Sequence, residues 1–409
     1  MAERVTAAPP AQRVGWARLP VAVRIGILYV AARAVTTVFL VMAAALSGPR
    51  SRFGAHATIG DLVVGWDAAW YWFAAMNGYP SQLPLTASGQ VAENQWAFMP
   101  LYGVLARGLG WLVGGWGAGA VIISLVAGYL SALVLYRMMR HRLDGPAAMW
   151  AVVFFCAGPL AAMFQVGYAE SLFLLWLFLA LRLVQVRRYG WLYLLVPLMG
   201  ATRPGVLAFA LFLGLFGIWR WFRRREEPLP RSEIVHILAL GAIAVAVGFA
   251  WQLIAGWVTG DPNAYLATEL AWRRNWIPSS SGEFFPVEGF VTAAAFWFRW
   301  WGASATVGYV SLGLLVAAVA LILVLEPHVR RLGVEVRLWS ASYLLYLLAV
   351  FFPQSSIFRL LLPVSPLWGA FAVPRSTWWR AGVLVVCLAG QWWWIYNMYA
   401  LGNTFWQIP

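Results

Sequence analysis

Leu101-Tyr102-Gly103-Val104-Leu105-Ala106-Arg107-Gly108-Leu109-Gly110-Trp111-Leu112-Val113-Gly114 decides how the chain is threaded. The run is apolar but only about 14 residues long, where a helix crossing a bilayer needs about 20. It also carries Arg107, Gly108 and Gly110. Counted as a span, it moves every downstream loop to the opposite side. Omitted, with the N-terminus inside, it leaves Arg137/Arg140/Arg142, Arg187/Arg188, Arg220/Arg223/Arg224/Arg225, Arg330/Arg331 and Arg375/Arg380 all on the cytoplasmic side. Arginine-rich loops belong on that side. Residues 101–114 therefore read as an interfacial or re-entrant segment.

Working outward, the chain is 62% hydrophobic and 11% charged over 409 residues, with a mean hydropathy of +0.72. A soluble domain carries about 25% charged residues. The expectation is an all-α polytopic membrane protein, residues 1–409 forming a single integral membrane domain. Its apolar runs are 20–46, 118–136, 146–163, 170–186, 190–202, 204–221, 234–258, 303–325, 338–351, 358–373 and 381–400. They predict about 11 transmembrane helices, of which 190–202 is the shortest. A cleaved signal peptide has an apolar core of about 7–15 residues. Pro20–Leu46 is longer, so it reads as an uncleaved first span after a polar leader with Arg4, Arg13 and Arg18.

The net charge is +14, and all 29 basic residues are arginines. With no soluble basic domain to carry it, the charge does not point to nucleic acid. The absence of lysine suggests a GC-rich bacterial genome, hence a bacterial plasma membrane with a cytoplasmic N-terminus. Cys156 and Cys387 sit in apolar runs and read as inert core thiols. No grouping of His, Cys, Asp and Glu has metal-ligand spacing. No cofactor is expected, and the question of a divalent metal stays open.

The same threading puts two long loops outside, 47–117 and 259–302, with Asp61, Asp67, Glu93, Glu170, Asp261, Glu269, Glu283 and Glu288 outside or at the outer edge. Arg203, Arg273, Arg274, Arg299 and Arg359 fall there too. In the first loop stands Gly65-Trp66-Asp67-Ala68-Ala69-Trp70-Tyr71-Trp72, an acid among aromatics that suits an interfacial helix. Asp67 reads either as a first-turn acid favoured by the helix dipole or as a partly desolvated base in an aromatic pocket that suits a sugar ring. Glu170 reads as another helix-start acid or as a residue that orients a hydroxyl or pairs with an arginine. Arg203, in Ala201-Thr202-Arg203-Pro204-Gly205, reads as an interfacial anchor, a partner of Glu170 or a phosphate fork. Ser355, Ser356 and Arg359 could together hold phosphate oxygens, or be caps beside a snorkelling arginine. Arg273 and Arg274, with Trp272 and Trp276, could clamp a polar acceptor or an anionic headgroup, or be solvated loop charges. Arg33, inside the first span, requires a buried carboxylate, backbone carbonyls or a lipid-linked phosphate as its partner.

Four of these blocks, taken in order, resemble the PIG-V mannosyltransferase family. They are Trp66-Asp67-Ala68-Ala69-Trp70-Tyr71 with Gly78-Tyr79 and Phe98-Met99-Pro100-Leu101-Tyr102; Tyr168-Ala169-Glu170-Ser171-Leu172-Phe173; Ala201-Thr202-Arg203-Pro204-Gly205; and Ser355-Ser356 with Arg359 and Pro363. Met99 stands where an aromatic is usual and Leu360 where Tyr is common. The resemblance implies GT-C architecture and a polyprenyl-phosphate sugar, usually mannose, as donor. The acceptor would be a glycan, glycolipid or protein on the extracytoplasmic side, with membrane lipids around the site. It further implies an inverting single displacement with Asp67 as base. Arg203, Arg359, Ser355 and Ser356 are then expected on the donor phosphate, and Trp66, Trp70, Tyr71, Glu170, Tyr102, Arg273 and Arg274 on substrate. The competing reading is a transporter or lipid flippase, for which Arg33 and the Gly/Pro-rich run 197–205 are the hints.

Overall fold

The computed structural model describes residues 16–277 and 284–402, so Arg4, Arg13 and Glu283 lie outside the described residues. Among the described residues the protein is all-helical, with an isolated Leu85–Val91 bridge and no sheet. The chain enters through α1 (Val21–Leu46) and makes two short helices, α2 (Ile59–Val63) and α3 (Asp67–Asn77). It then forms a hairpin of α4 (Pro100–Val113) and α5 (Trp116–Met139). After α6 (Gly145–Ala157) and α7 (Glu170–Gln185) come α8 (Leu192–Thr202), α9 (Val206–Arg223) and α10 (Arg231–Thr259). The next polar stretch contributes α11 (Ala264–Arg274) and α12 (Glu288–Trp300). The chain ends with α13 (Ala305–Leu325), α14 (Pro327–Arg330), α15 (Val334–Val350), α16 (Ile357–Leu360), α17 (Trp368–Ala372) and α18 (Thr377–Ile395).

Helices α1, α5, α9, α10 and α13 are long and apolar enough to cross a membrane, and the protein is a multi-pass membrane protein. The 26 residues of α1 reach about 39 Å, more than the hydrocarbon core. Ile25, Tyr29, Arg33, Thr36, Leu40 and Ala43 form its buried stripe, three or four residues apart, while Val23, Ile27, Val30, Val38 and Val41 are exposed. An apolar exposed face of this kind suits lipid.

Helix α7 has no such face. Glu170 through Leu175, Leu177, Phe178, Ala180, Leu181 and Val184 are all buried, and α5, α8 and α15 pack around it. A helix apolar all round and enclosed by protein is the hub of the bundle. Its first residue, Glu170, is thereby carried into the interior.

Several predicted spans are interrupted. Run 358–373 is not one helix: α16 stops at Leu360, residues Leu362–Leu367 form a 3-10 helix, and α17 resumes at Trp368. Pro363 and Pro366 lack the N–H that a continuous helix would use. Run 146–163 breaks at Gly158-Pro159 for the same reason, so α6 keeps 13 residues. In run 190–202, α8 has 11 residues with Pro197 inside, about 17 Å of helix.

Residues 100–113 form α4, a helix about 21 Å long, too short to cross. It lies antiparallel on the first turns of α5. The Tyr102 hydroxyl donates to the Ala120 carbonyl at 2.9 Å, and Trp116 Nε1 to the Gly103 carbonyl at 3.1 Å. A Cβ at Gly119 would stand 2.4 Å from the Ala106 carbonyl oxygen, so this closeness requires glycine.

Arg33 resolves to one of its readings. Its guanidinium donates to the carbonyls of Ala161 and Cys156, at and just beyond the C-terminal end of α6. It also lies 5.2 Å from the Tyr29 ring centre and 5.4 Å from that of Phe164. Its partners are backbone carbonyls freed by the break after α6.

Candidate active site

Asp67 is the first residue of α3, and its position follows from a strained residue before it. Trp66 has φ 55°, a value that bulky L residues rarely adopt. The strain is held by packing: the indole N–H donates to the Met398 carbonyl at 3.0 Å, Arg52 lies 4.3 Å from the ring centre, and Phe53 meets it edge-on. The reversal sends the Asp67 backbone N–H to the Tyr168 hydroxyl at 3.2 Å. Trp66, the residue before the helix, makes no side-chain cap bond to it. The Asp67 carboxylate turns to Arg359, with Oδ2 2.5 Å from Nη2.

Arg359 connects two acids. Its Nη1 donates to Oε1 of Glu170 at 2.9 Å, and the same oxygen receives Nη1 of Arg203 at 2.7 Å. Two carboxylates and two guanidiniums thus form a chain, Asp67–Arg359–Glu170–Arg203, with no net charge. All four residues are buried, at 8% exposure for Asp67, 1% for Glu170 and 9% for each arginine. They come from the starts of α3 and α7, the end of α8, and α16. Gly205, at φ +129°, turns the chain after Arg203-Pro204 into α9. The Tyr168 ring underlies Arg359 at 5.4 Å.

The cluster is not saturated. Oε2 of Glu170 and Nε of Arg359 are buried with no hydrogen-bond partner among the described residues. Burial pushes the Asp67 carboxyl above the usual carboxylate range, against the pull of Arg359. Ser355 and Ser356, both buried, stand just before α16. Among the described residues no group of three His, Cys, Asp or Glu is placed to hold a metal ion.

Other expected residues lie around or away from this chain. Tyr71 follows Asp67 by one helical turn and meets Phe98 edge-on at 5.1 Å. Trp70 stacks on Phe98 at 6.0 Å. Tyr102 is fully buried and bonded to α5, touching the site through Tyr71 at 5.3 Å. Trp66 is enclosed on the far side of Asp67 by Phe53, Arg52 and Met398. Arg273 pairs with Glu288 at 2.8 Å, and Arg274 donates to the Val91 carbonyl. Arg273 thereby ties α11 to α12, and Arg274 ties α11 to the segment between α3 and α4.

Of a further group beside the site, only Trp272 was among the expected ligand contacts. Helix α11 presents Tyr265, Thr268, Glu269 and Trp272 on one face. Asn94 donates to Thr268 Oγ1 at 2.8 Å, and Trp272 meets Trp70 at 6.0 Å and Phe98 at 5.9 Å. Glu269 is exposed, yet protein atoms crowd its carboxyl, and this desolvation raises its pKa to about 7. Tyr265 bonds to it and Asp67 opposes its ionisation, while Arg203 favours it. The signal was present in the sequence as Tyr265 and Glu269 four residues apart, next to Trp272.

No family model matches the sequence, and no curated protein matches it. Among solved structures, the chain is similar to archaeal oligosaccharyltransferase AglB from Archaeoglobus fulgidus in complex with an inhibitory peptide and a dolichol-phosphate. That match has a TM-score of 0.43 at 12% identity, over 92% of this chain and 56% of that one. The Archaeoglobus fulgidus oligosaccharyltransferase in complex with Zn and sulfate gives a TM-score of 0.43 at 13% identity, over 92% of this chain and 53% of that one. This chain therefore spans about half the length of those solved proteins.

Proposed function

We propose that the protein is a membrane glycosyltransferase of the PIG-V kind, with GT-C architecture, in a bacterial plasma membrane. It moves a sugar, mannose in the first instance, from a polyprenyl-phosphate donor to an extracytoplasmic acceptor. The observation that carries the reading is the Asp67–Arg359–Glu170–Arg203 chain. Four acid and arginine positions, one from each of four sequence blocks that resemble the family, meet in one buried cluster.

In this reading the acceptor hydroxyl gives its proton to Asp67, and its oxygen attacks the anomeric carbon. The bond from that carbon to the phosphate oxygen breaks, the configuration inverts, and the polyprenyl phosphate leaves with the electron pair. Arg203 and Arg359 stabilise the charge that grows on the leaving phosphate. Each already carries a carboxylate, so the phosphate competes for it. A phosphate that draws Arg359 towards itself loosens the ion pair on Asp67. The proton affinity of Asp67 then rises as the leaving group is bound. Holding both reactants at the cluster supplies a large part of the rate. Ser355 and Ser356, beside Arg359, are the further phosphate candidates; Trp70 and Tyr71 flank the acceptor.

The test is sugar transfer by Asp67→Asn in nanodiscs supplied with polyprenyl-phosphate mannose. A loss of at least about 100-fold in kcat is expected, with Asp67→Glu retaining more. Transfer by Asp67→Asn at the wild-type rate would remove the base from the scheme. A wild-type protein that moves lipid across the bilayer and forms no glycosidic bond would make it a flippase.

A further inference from the structure

The second outer stretch places a carboxylate where the reaction scheme has no role for it. Helix α11 lies against the first outer loop through the Asn94–Thr268 hydrogen bond and the contacts of Trp272 with Trp70 and Phe98. Thr268 immediately precedes Glu269, and Trp272 follows it by three residues, so all three occupy the same side of α11. Trp70, against which this side leans, lies in the first turn of α3, three residues after Asp67. Glu269 is therefore an exposed acid beside an aromatic wall, adjoining the buried cluster.

Neighbouring charged side chains are committed to other partners. Arg273 holds Glu288 and Arg274 holds a backbone carbonyl, while Asp67 and Glu170 hold arginines. No ion pair engages Glu269 among the described residues; its partner is Tyr265, one turn earlier on the same helix. An exposed carboxylate beside Trp70, Phe98 and Trp272 is the combination that recognises a neutral sugar. Aromatic rings cover an apolar sugar face, and the carboxylate accepts hydrogen bonds from ring hydroxyls. An anionic acceptor would be repelled there.

Resting on the glycosyl-transfer reading, we propose that Glu269 is the positioning residue of the acceptor subsite. Its carboxylate accepts a hydrogen bond from a hydroxyl of a neutral sugar acceptor, which lies against Trp70 and Trp272 with its reactive hydroxyl towards Asp67. Glu269 does not take the transferred proton. Its ionised form accepts the bond, so acceptor use rises as Glu269 loses its proton. The groups that set this ionisation are Tyr265 on its own helix, Asp67 on α3 and Arg203 at the end of α8; Tyr71 and Tyr346 face Tyr265 in turn.

The experiment uses the full-length protein in nanodiscs with a short-chain polyprenyl-phosphate mannose as donor. Octyl α-mannoside and methyl α-mannoside serve as lipid-linked and soluble acceptor probes. Glu269→Gln should raise the acceptor KM about tenfold or more with whichever probe is used, and leave the donor KM within about twofold. The wild-type rise in kcat/KM for acceptor through about pH 7 should flatten in Glu269→Gln and persist in Glu269→Asp. An unchanged acceptor KM and pH profile in Glu269→Gln would overturn the proposal while leaving sugar transfer intact. Infrared difference spectra supply a readout without turnover. A protonated-carboxyl band should disappear as pH rises through about 7 and be missing from Glu269→Gln. Absence of any Glu269-dependent band overturns the proposal by itself. A band in a protein that transfers no sugar overturns the transfer reading, and the acceptor role with it.

Discussion

Asp67 Oδ2 and Arg359 Nη2 lie 2.5 Å apart, joining the start of α3 to the short helix α16. The contact ties the proton affinity of the one acid to the position of a single guanidinium. It also links the two halves of the proposed reaction, because Arg359 touches the acid that would receive a proton and is itself a candidate for the phosphate. The geometry depends on a fork. One guanidinium reaches Asp67 and Glu170 through two different nitrogens.

Arg359→Lys should therefore behave as a severe change. An ammonium is a single point of charge and cannot reproduce two divergent N–H donors at fixed angles. The expected loss is about 100-fold in kcat at saturating donor and acceptor, with the variant still folded in detergent. A Lys variant at full rate would show that charge alone suffices and that the bridge is incidental.

Glu170 tests the cluster as a structural unit. Replacing it by Gln leaves Arg203 and Arg359 buried with one carboxylate between them. Removing one partner of such a buried pair costs about 3–5 kcal/mol. Glu170→Gln should lower the apparent melting temperature sharply, and Glu170→Gln combined with Arg203→Gln should recover part of the loss. The double-mutant cycle should return a coupling of about 1–3 kcal/mol. Additive losses would mean that the 2.7 Å contact between the two contributes nothing.

Arg33 separates stability from substrate binding. Its donors go to the Cys156 and Ala161 carbonyls, so Arg33→Leu should destabilise by about 2–4 kcal/mol through lost charged hydrogen bonds. The donor KM of the folded fraction should stay within about twofold of wild type. A rise in donor KM at unchanged melting temperature would restore the phosphate-contact reading.

Legibility in the sequence followed how local each cause was. Hydropathy reported the all-helical membrane class, and the length of run 101–114 reported α4 as too short to cross, because both depend on contiguous residues. The first long polar loop showed its helix through the aromatic spacing of Trp66, Trp70 and Tyr71. The alternatives offered for Glu170 and Arg203 included their pairing with each other, and the 2.7 Å contact realises it. The bridge by Arg359 was invisible, since it depends on how α16 is broken away from α17 by Pro363 and Pro366. Two helices, α6 and α16, also came out shorter than their apolar runs, because hydropathy does not register Pro159, Pro363 and Pro366 just beyond them. Arg273 and Arg274, with Trp272 and Trp276, were read either as a ligand clamp or as solvated loop charges, and their acceptors, Glu288 and the Val91 carbonyl, became visible only in three dimensions. Glu269 escaped as a site because one acid in a polar loop is unremarkable until Trp272 is seen to rest on Trp70 and Phe98.

Tyr102 decides between a substrate contact and a strut. By its family block it was expected on substrate, yet its hydroxyl donates to the Ala120 carbonyl and lies 2.9 Å from Ser124 Oγ, with no exposure. Both partners are on α5, so the bond holds the α4–α5 hairpin closed beneath Tyr71. Tyr102→Phe removes one hydroxyl and keeps the ring that meets Tyr71 and Trp116. The Ala120 carbonyl retains its helical N–H partner, so the loss should be about 1 kcal/mol. The expected result is a small fall in apparent melting temperature, with kcat and both KM values within about twofold of wild type. Tyr102→Ala removes the ring as well and should cost about 3–5 kcal/mol, displacing Tyr71 and with it the wall beside Asp67. A tenfold rise in either KM for Tyr102→Phe at unchanged melting temperature would place the hydroxyl on substrate and contradict the strut.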